Sequence, residues 1–468
     1  MTAGHDNRPP GDPPLASLVG AGTPVPCLDG TDRPYRDLDC AASTPAMASV
    51  AREVEAFLPW YASVHRGAGY KSRRATAAYE AARQRILEFA GRTETGDVAV
   101  ICRNTTEALN HLAYRLRLEP DDVVATTVVE HHANLLPWAR VARCRYVECA
   151  EDGTFGAETV MAVLDDGPLP KVLAITGASN VTGWLPPVDA ICRGARDRGV
   201  PVVLDGAQLA PHRPLPGGPD FLAFSGHKLY APFGAGALVG PRHAFAEGDP
   251  FLAGGGAVDL VDLDEVIWTE PPEREEAGSP NVVGAVAFGA ALEELGRIGW
   301  QAVEDHETRL ARRLRDGLRS IDGVRLLGPD VDTDTLAVAA FVVEGVHHAL
   351  VAARLSAEWG IGVRHGCFCA HPYLLRLLGV RRDEVAAARD ELLAGDRRRI
   401  PGAVRASCGL GTTEDDVAVL LAAVGELASG SPSPVPYVQD RGSGDFYPQG
   451  APEWSALQGS AGPACTQG

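Results

Sequence analysis

The sequence predicts an α/β protein, with a mostly parallel sheet in a large domain and a smaller C-terminal α/β domain after it. Three observations carry this. Apolar runs end on polar groups: Val202-Val203-Leu204 stops at Asp205, and the run through Phe224 stops at Ser225. Continuous apolar strands of this kind are buried on both faces, as in parallel sheets. Second, strand Val172–Thr176, helix Val188–Arg198 and strand Pro201–Asp205 follow one another at βαβ spacing. Third, the pattern changes from about Gly299. A helical stripe (Val303, Leu310, Leu314, Leu318) precedes strand Leu336–Val343, helix His347–Trp359 and strand Ile361–Arg364.

These breaks divide the chain into residues 36–298 and 299–429. Residues 1–35 are polar and rich in proline, residues 430–468 in Gly, Ser and Pro, and both are expected to be disordered. At 468 residues the chain is long enough for two domains. Its apolar runs are too short to span a membrane, and the longest, near Val282–Leu292, ends in Glu293-Glu294. A net charge of −18 argues against nucleic-acid or anionic-membrane partners. Ten scattered cysteines suit a reducing cytoplasm better than a disulfide framework.

In open α/β sheets ligands bind at the C-terminal strand ends. There this sequence has an acid, Asp205, and 23 positions on a lysine, Lys228, within Ser225-Gly226-His227-Lys228. Such a pair is what pyridoxal phosphate needs: the lysine forms the Schiff base, and the acid pairs with the pyridinium nitrogen. A surface lysine and a capping aspartate are the bland alternative.

Upstream, Arg103-Asn104-Thr105-Thr106-Glu107 follows the strand-like Val98–Ile101. Hydroxyls at the N-cap and an acid in the first turn make a good helix start, and its free N–H groups suit a phosphate. Glu130-His131-His132 follows the β-branched run Val123–Val129, where a histidine can stack on a ring and relay protons. A metal is the competing reading of the histidine pair, but no third ligand lies near in sequence. Gly254-Gly255-Gly256 and the acidic stretch Asp259–Glu265 read as a flexible excursion.

Asp205-Gly-Ala-Gln208 and Ser225-Gly-His227-Lys228-Leu-Tyr resemble the class V aminotransferase-fold enzymes, and most closely the group II cysteine desulfurases and selenocysteine lyases. The resemblance runs from about Leu38 to about Ala428. It implies a fold type I pyridoxal-phosphate-dependent transferase with a seven-stranded-type sheet. It assigns Thr105, Thr106, Ser225 and His227 to the phosphate, Gln208 to the phenolic oxygen, and His131 to ring stacking and acid–base relay. His132 is then structural. Asn180, in Ser179-Asn180-Val181-Thr182-Gly183, contacts the phenolic oxygen or the substrate. Residues 37–43 resemble a segment beside the cofactor. Arg274-Glu-Glu-Ala-Gly-Ser279-Pro-Asn resembles a block whose hydroxyl reaches the phosphate of the neighbouring subunit, which implies a homodimer. Val404-Arg405-Ala406-Ser407 resembles the family's Arg-x-Ser, whose arginine grips the substrate α-carboxylate, a bidentate task. The family's next residues are here Gly411-Thr412-Thr413, a departure.

The reaction turns on Val363-Arg364-His365-Gly366-Cys367-Phe368-Cys369-Ala370-His371-Pro372. Aligned on Arg-x-Gly and Ala-x-Pro, the desulfurase nucleophile falls on Cys369, and Arg364 joins the substrate-binding set. A thiolate there would take sulfur from L-cysteine as a persulfide and release alanine, for delivery to a sulfur-acceptor protein. The family's His-His is here Cys367-Phe368, which removes two proton carriers but leaves His365 and His371 beside the loop. Gly-Cys-Phe-Cys also resembles the desulfurase-like domain of molybdenum-cofactor sulfurases. Other readings of the two cysteines remain: loop residues in an aminotransferase, epimerase or C–S β-lyase, or zinc ligands with His365 and His371. A disulfide between them would be strained. The charged stretch Arg381–Arg399 is longer than the desulfurases have and could cap the entrance or select an acceptor.

Overall fold

The computed structural model describes residues 13–330 and 333–451. Its centre is a seven-stranded sheet in the order Asp97–Cys102, Gly236–Pro241, Phe221–Ser225, Val202–Asp205, Val172–Thr176, Val123–Thr127, Arg143–Val147. Gly236–Pro241 runs antiparallel to both neighbours, and the pairs from Phe221–Ser225 outward are parallel. The sheet is therefore mostly parallel, as expected. Strands Val172–Thr176, Val202–Asp205 and Phe221–Ser225 are buried throughout. That burial is the physical reason for their unbroken apolar runs.

The Val282–Ile298 helix explains the longest apolar run. It buries ten of its residues, packed on helices Ala48–Phe57 and Tyr70–Phe89. Gly289 permits the approach, since a Cβ there would lie 3.0 Å from the Cα of Ala82.

A second sheet has four antiparallel strands, Val324–Leu326, Val338–Val343, Ala403–Ser407 and Arg364–Gly366. The expected strand Ile361–Arg364 is split. Ile361–Gly362 instead pairs in parallel with Arg36–Asp37, which brings the segment at residues 37–43 to the edge of this sheet. An apolar cluster including Leu310, Leu314, Phe341, Leu355 and Leu420 lies on it.

Three expectations of disorder are corrected. Residues 13–35 carry strands Pro24–Pro26 and Asp32–Pro34, tied to the body where the Leu28 N–H donates to the Ala357 carbonyl at 2.9 Å. Residues 437–448 form a hairpin, Tyr437–Gln439 with Phe446–Pro448. The supposed flexible excursion is a hairpin too, Val258–Val261 with Val266–Trp268. Short polar strands give no apolar periodicity, so paired backbone groups hold segments that composition marks as loose. Residues 1–12 and 452–468 of the two tails lie outside the described residues. The stretch after Arg381 is helical over Arg382–Leu393 and buries none of its side chains. No described helix is long and apolar enough to cross a membrane.

Candidate active site

At the C-terminal ends of the parallel strands lies a cavity of about 670 Å³, within the range of roughly 300–1,000 Å³ usual for small-molecule sites. It collects Thr105, Thr106, His131, Asn180, Asp205, Gln208, Ser225, His227, Lys228, Arg364, Cys369 and Arg405. Ser279 is not among its lining. It sits exposed on the turn beside the Val258–Trp268 hairpin, where Gly278 N–H donates to the Gly255 carbonyl at 2.7 Å.

Asp205 closes its strand, and its Oδ1 accepts from Ala207 N–H at 3.0 Å. Burial pushes its carboxyl up, while that N–H and the charge of Lys228 pull it back. Lys228 ends the turn after strand Phe221–Ser225. Its Nζ donates to Gln208 Oε1 at a long 3.5 Å. Burial lowers Lys228 to about 8, against the pull of Asp205 and with the push of Arg405. A far larger share of the amine is thus uncharged near neutral pH than in an ordinary lysine, as a nucleophilic lysine requires.

Helix Thr105–Arg115 points its N-terminus at the same end of the cavity. Its N-cap is Asn104, whose side chain accepts from Glu107 N–H, so the threonines stand one position further in than expected. Thr105 N–H donates to Ser225 Oγ at 2.7 Å, and the two hydroxyls meet at 2.6 Å. Gly236 is needed here, because a Cβ would lie 2.8 Å from the Cα of Asn104. Burial and the Lys228 charge hold His227 at about 4, so its ring is neutral. A phosphate could be held at this helix end, an amine-reactive carbonyl at Lys228 and a ring cation at Asp205.

The opposite wall carries two arginines. Arg405 donates to the Asn180 carbonyl at 2.9 Å and to Asp39 Oδ1 at 3.0 Å, while Arg364 meets Asp39 Oδ2 at 2.9 Å. The Arg405 guanidinium lies over the Phe368 ring, 5.1 Å from its centroid. Its Nε is buried with no hydrogen-bond partner among the described residues. An anion in the cavity would meet a paired arginine that still has a donor to give.

Cys369 lies in a tight turn. Phe368 and Cys369 both adopt left-handed backbone angles, φ 56 and 52, a conformation of order 1–3 kcal/mol per non-glycine residue that its surroundings must sustain. The turn is held by Asn180 Nδ2 to the Phe368 carbonyl at 2.7 Å and by His132 N–H to the Cys369 carbonyl at 2.7 Å. His132 also accepts from His371 N–H at 3.2 Å and stacks on its ring, a structural task in keeping with the expectation. His131 accepts from Ala133 N–H through Nδ1, which leaves Nε2 to carry the proton of the neutral ring. Cys367 is buried and Cys369 lines the cavity. No disulfide joins the described cysteines.

Sequence reasoning assigned no role to Asp39, Phe368, Asp445 or Glu130. The first three line the cavity. Glu130 is buried and accepts from Thr127, Asn134 and the Thr176 N–H. Burial pushes it up to about 8 despite those donors. Asp39, Glu130 and Phe368 each lie in a run the sequence singles out without a role of their own, whereas Asp445 lies in none.

This strand-end lysine and acid, in this sheet, define a known class. The class V aminotransferase family model matches residues 37–420, and the chain belongs to that enzyme family. A probable cysteine desulfurase of Xylella fastidiosa (strain 9a5c) is 39% identical over 317 residues, which span 65% of this chain and 74% of that protein. Among solved structures, the apo cysteine desulfurase of Thermococcus onnurineus NA1 matches with a TM-score of 0.75 at 31% identity, over 85% of this chain and 95% of that one. An Escherichia coli cysteine desulfurase matches at 0.72 and 32% identity, over the same shares.

Proposed function

We propose that the protein is a pyridoxal-phosphate-dependent cysteine desulfurase that moves sulfur from L-cysteine to Cys369 and releases L-alanine. The single observation that carries this is one cavity lined by Lys228, Arg405 and Cys369 together. The desulfurase names of the relatives support the same reading.

The residues fit the cofactor. Thr105, Thr106, Ser225 and His227 make a phosphate cup at a helix N-terminus, Asp205 suits the ring nitrogen, Gln208 the phenolic oxygen, and Lys228 the aldehyde. Once bound, pyridoxal phosphate supplies an electron sink for bonds around the substrate α-carbon. The chain's own residues do the rest. Arg405 and Arg364 hold the carboxylate, and the Arg405 Nε gains a partner. Lys228, with a free amine available near neutral pH, carries protons at the α-carbon. His131 Nε2–H is the donor on the ring side. The Cys369 thiolate attacks the substrate sulfur. Its S–S bond forms as the substrate C–S bond breaks, and the carbon keeps the electron pair and takes a proton. One thiol and one cysteine thus give one persulfide and one alanine, with no outside oxidant.

Ser279 belongs in this account to a homodimer, reaching the phosphate of the other subunit. Its neighbour supports that. The Val258–Trp268 hairpin exposes Leu260, Val261, Val266, Ile267 and Leu263, the last fully exposed, an apolar ridge of the kind that marks an interface. Described cysteines without disulfides suit a reducing cytoplasm, and a sulfur-acceptor protein completes the cycle. Incubation of the loaded enzyme with L-cysteine tests the function: alanine and enzyme-bound persulfide support it, whereas pyruvate and ammonia mark a C–S lyase.

A further inference from the structure

Beyond residue 430 the chain returns to the site. The 437–448 hairpin turns through Asp440–Asp445, closed by Asp440 N–H to the Asp445 carbonyl at 2.8 Å and by Ser443 N–H to Asp440 Oδ1 at 2.7 Å. It is docked on the segment that follows the Arg382–Leu393 helix. Arg397 N–H donates to the Arg441 carbonyl at 3.0 Å, and Gln439 Nε2 to the Arg398 carbonyl at 3.0 Å. Gly444 (φ +83) fits so closely that a Cβ would lie 2.7 Å from the Arg397 carbonyl oxygen. Tyr437 Oη donates to Glu358 at 3.1 Å, and the Phe446 ring packs on His347. The tail is thus fastened to the segment after that helix and to the Glu358 and His347 region, and this fastening sets the position of Asp445.

Asp445 lines the cavity that holds Lys228 and Cys369, although it lies outside the residues the family model matches. Its Oδ1 meets His365 Nε2 at 3.2 Å, with the two side chains 19% and 25% exposed. His365 also lines the cavity, on the strand that leads into the Cys369 turn. A carboxylate only accepts, so Nε2 carries the proton, and Nδ1 is the acceptor of the neutral ring. That Nδ1 is buried and has no hydrogen-bond partner among the described residues. Burial opposes the Asp445 charge, yet the His365 hydrogen bond holds its carboxyl below the ordinary value.

We propose that the C-terminal hairpin is a working part of the active site, and that Asp445 is a positioning residue which fixes the tautomer and aim of His365 as proton acceptor for the cysteine turn. For this the Cys369 thiol must come within reach of His365 Nδ1, which has no partner among the described residues; its proton then passes to Nδ1 and returns at the end of the cycle. Asp445 stays ionised throughout and stabilises the cation that forms. The proposal rests on reading this cavity as the catalytic site, and extends it with a residue from the tail.

The test is a double-mutant cycle in the full-length, cofactor-loaded enzyme: wild type, Asp445→Asn, His365→Gln and the double variant, with Asp445→Glu as rescue. Asp445→Asn should lower kcat at least about tenfold, part of the roughly 100-fold or more that a positioned acid–base group contributes, and leave KM nearly unchanged. Asp445→Glu should recover part of the loss. The double variant should be no slower than His365→Gln, because the aspartate acts through the histidine. Unchanged kcat in Asp445→Asn, a change confined to KM, or losses that multiply in the double variant would each overturn the proposal. If Asp445→Asn fails to fold, Asp445→Glu takes its place in the cycle and must couple to His365→Gln in the same way. Should wild type release pyruvate instead of alanine, the desulfurase reading fails on wild type alone, and the cycle is read on pyruvate.

Discussion

The side-chain amide of Asn180 donates to the carbonyl of Phe368 at 2.7 Å, across 188 positions of sequence. The same residue's carbonyl accepts from Arg405. One loop of the large sheet therefore steadies both the cysteine turn and the proposed carboxylate grip, and it holds Phe368 and Cys369 in left-handed conformations they would otherwise leave.

Asn180→Ala removes only the first of these bonds. The buried Phe368 carbonyl loses its donor, at a cost of about 1–3 kcal/mol. Alanine release should fall, while KM for L-cysteine changes little because the backbone carbonyl under Arg405 remains. Steady-state kinetics on the variant separates the two effects.

Lys228 should control cofactor capture. Only its uncharged amine attacks an aldehyde, so pyridoxal phosphate uptake by the apoprotein should rise with pH and level off above about 8, the value burial gives it. A midpoint near the ordinary lysine value of about 10.4 would contradict the site's geometry. Lys228→Ala should abolish both the visible absorbance of the loaded protein and turnover.

Asp205 is the charge that pulls Lys228 upward. Asp205→Asn should therefore shift the uptake midpoint to lower pH. It should also slow turnover severely, since a neutral amide cannot stabilise a protonated ring nitrogen, while the phosphate cup at Thr105 and Ser225 stays intact. Stopped-flow uptake and steady-state turnover measure the two.

Sedimentation should give twice the 49.3 kDa chain mass. Leu263→Asp, at the exposed tip of the Val258–Trp268 hairpin, should weaken that dimer and reduce activity in parallel. A fully active monomer would contradict a site shared through Ser279.

Much of the site was legible because local physics wrote it into short runs. Asp205 and Ser225 end strands that are buried on both faces, and Thr105 opens a capped helix at a strand end. Asp39 was not legible as a site residue. Its link to Arg405 spans 366 positions and leaves no local pattern. Asp445 was hidden more deeply. Its hairpin is short, polar and glycine-rich, the composition of a disordered tail, and it is held by bonds to residues some 40 and more positions earlier. The anchoring of the Cys369 turn was not legible either. Gly366 leads into a tight turn held from two other segments by Asn180 and His132.

The central claim is that Cys369 takes the sulfur, and single-turnover alanine release by Cys369→Ser tests it most directly. The thiol is absent there, while Lys228, Arg405 and the phosphate cup are unchanged. Substrate should still bind and perturb the cofactor absorbance, but alanine and persulfide should not form, and Cys367→Ser should retain most of the wild-type rate. Alanine release at the wild-type rate from Cys369→Ser would contradict the account and leave both cysteines as residues of a loop.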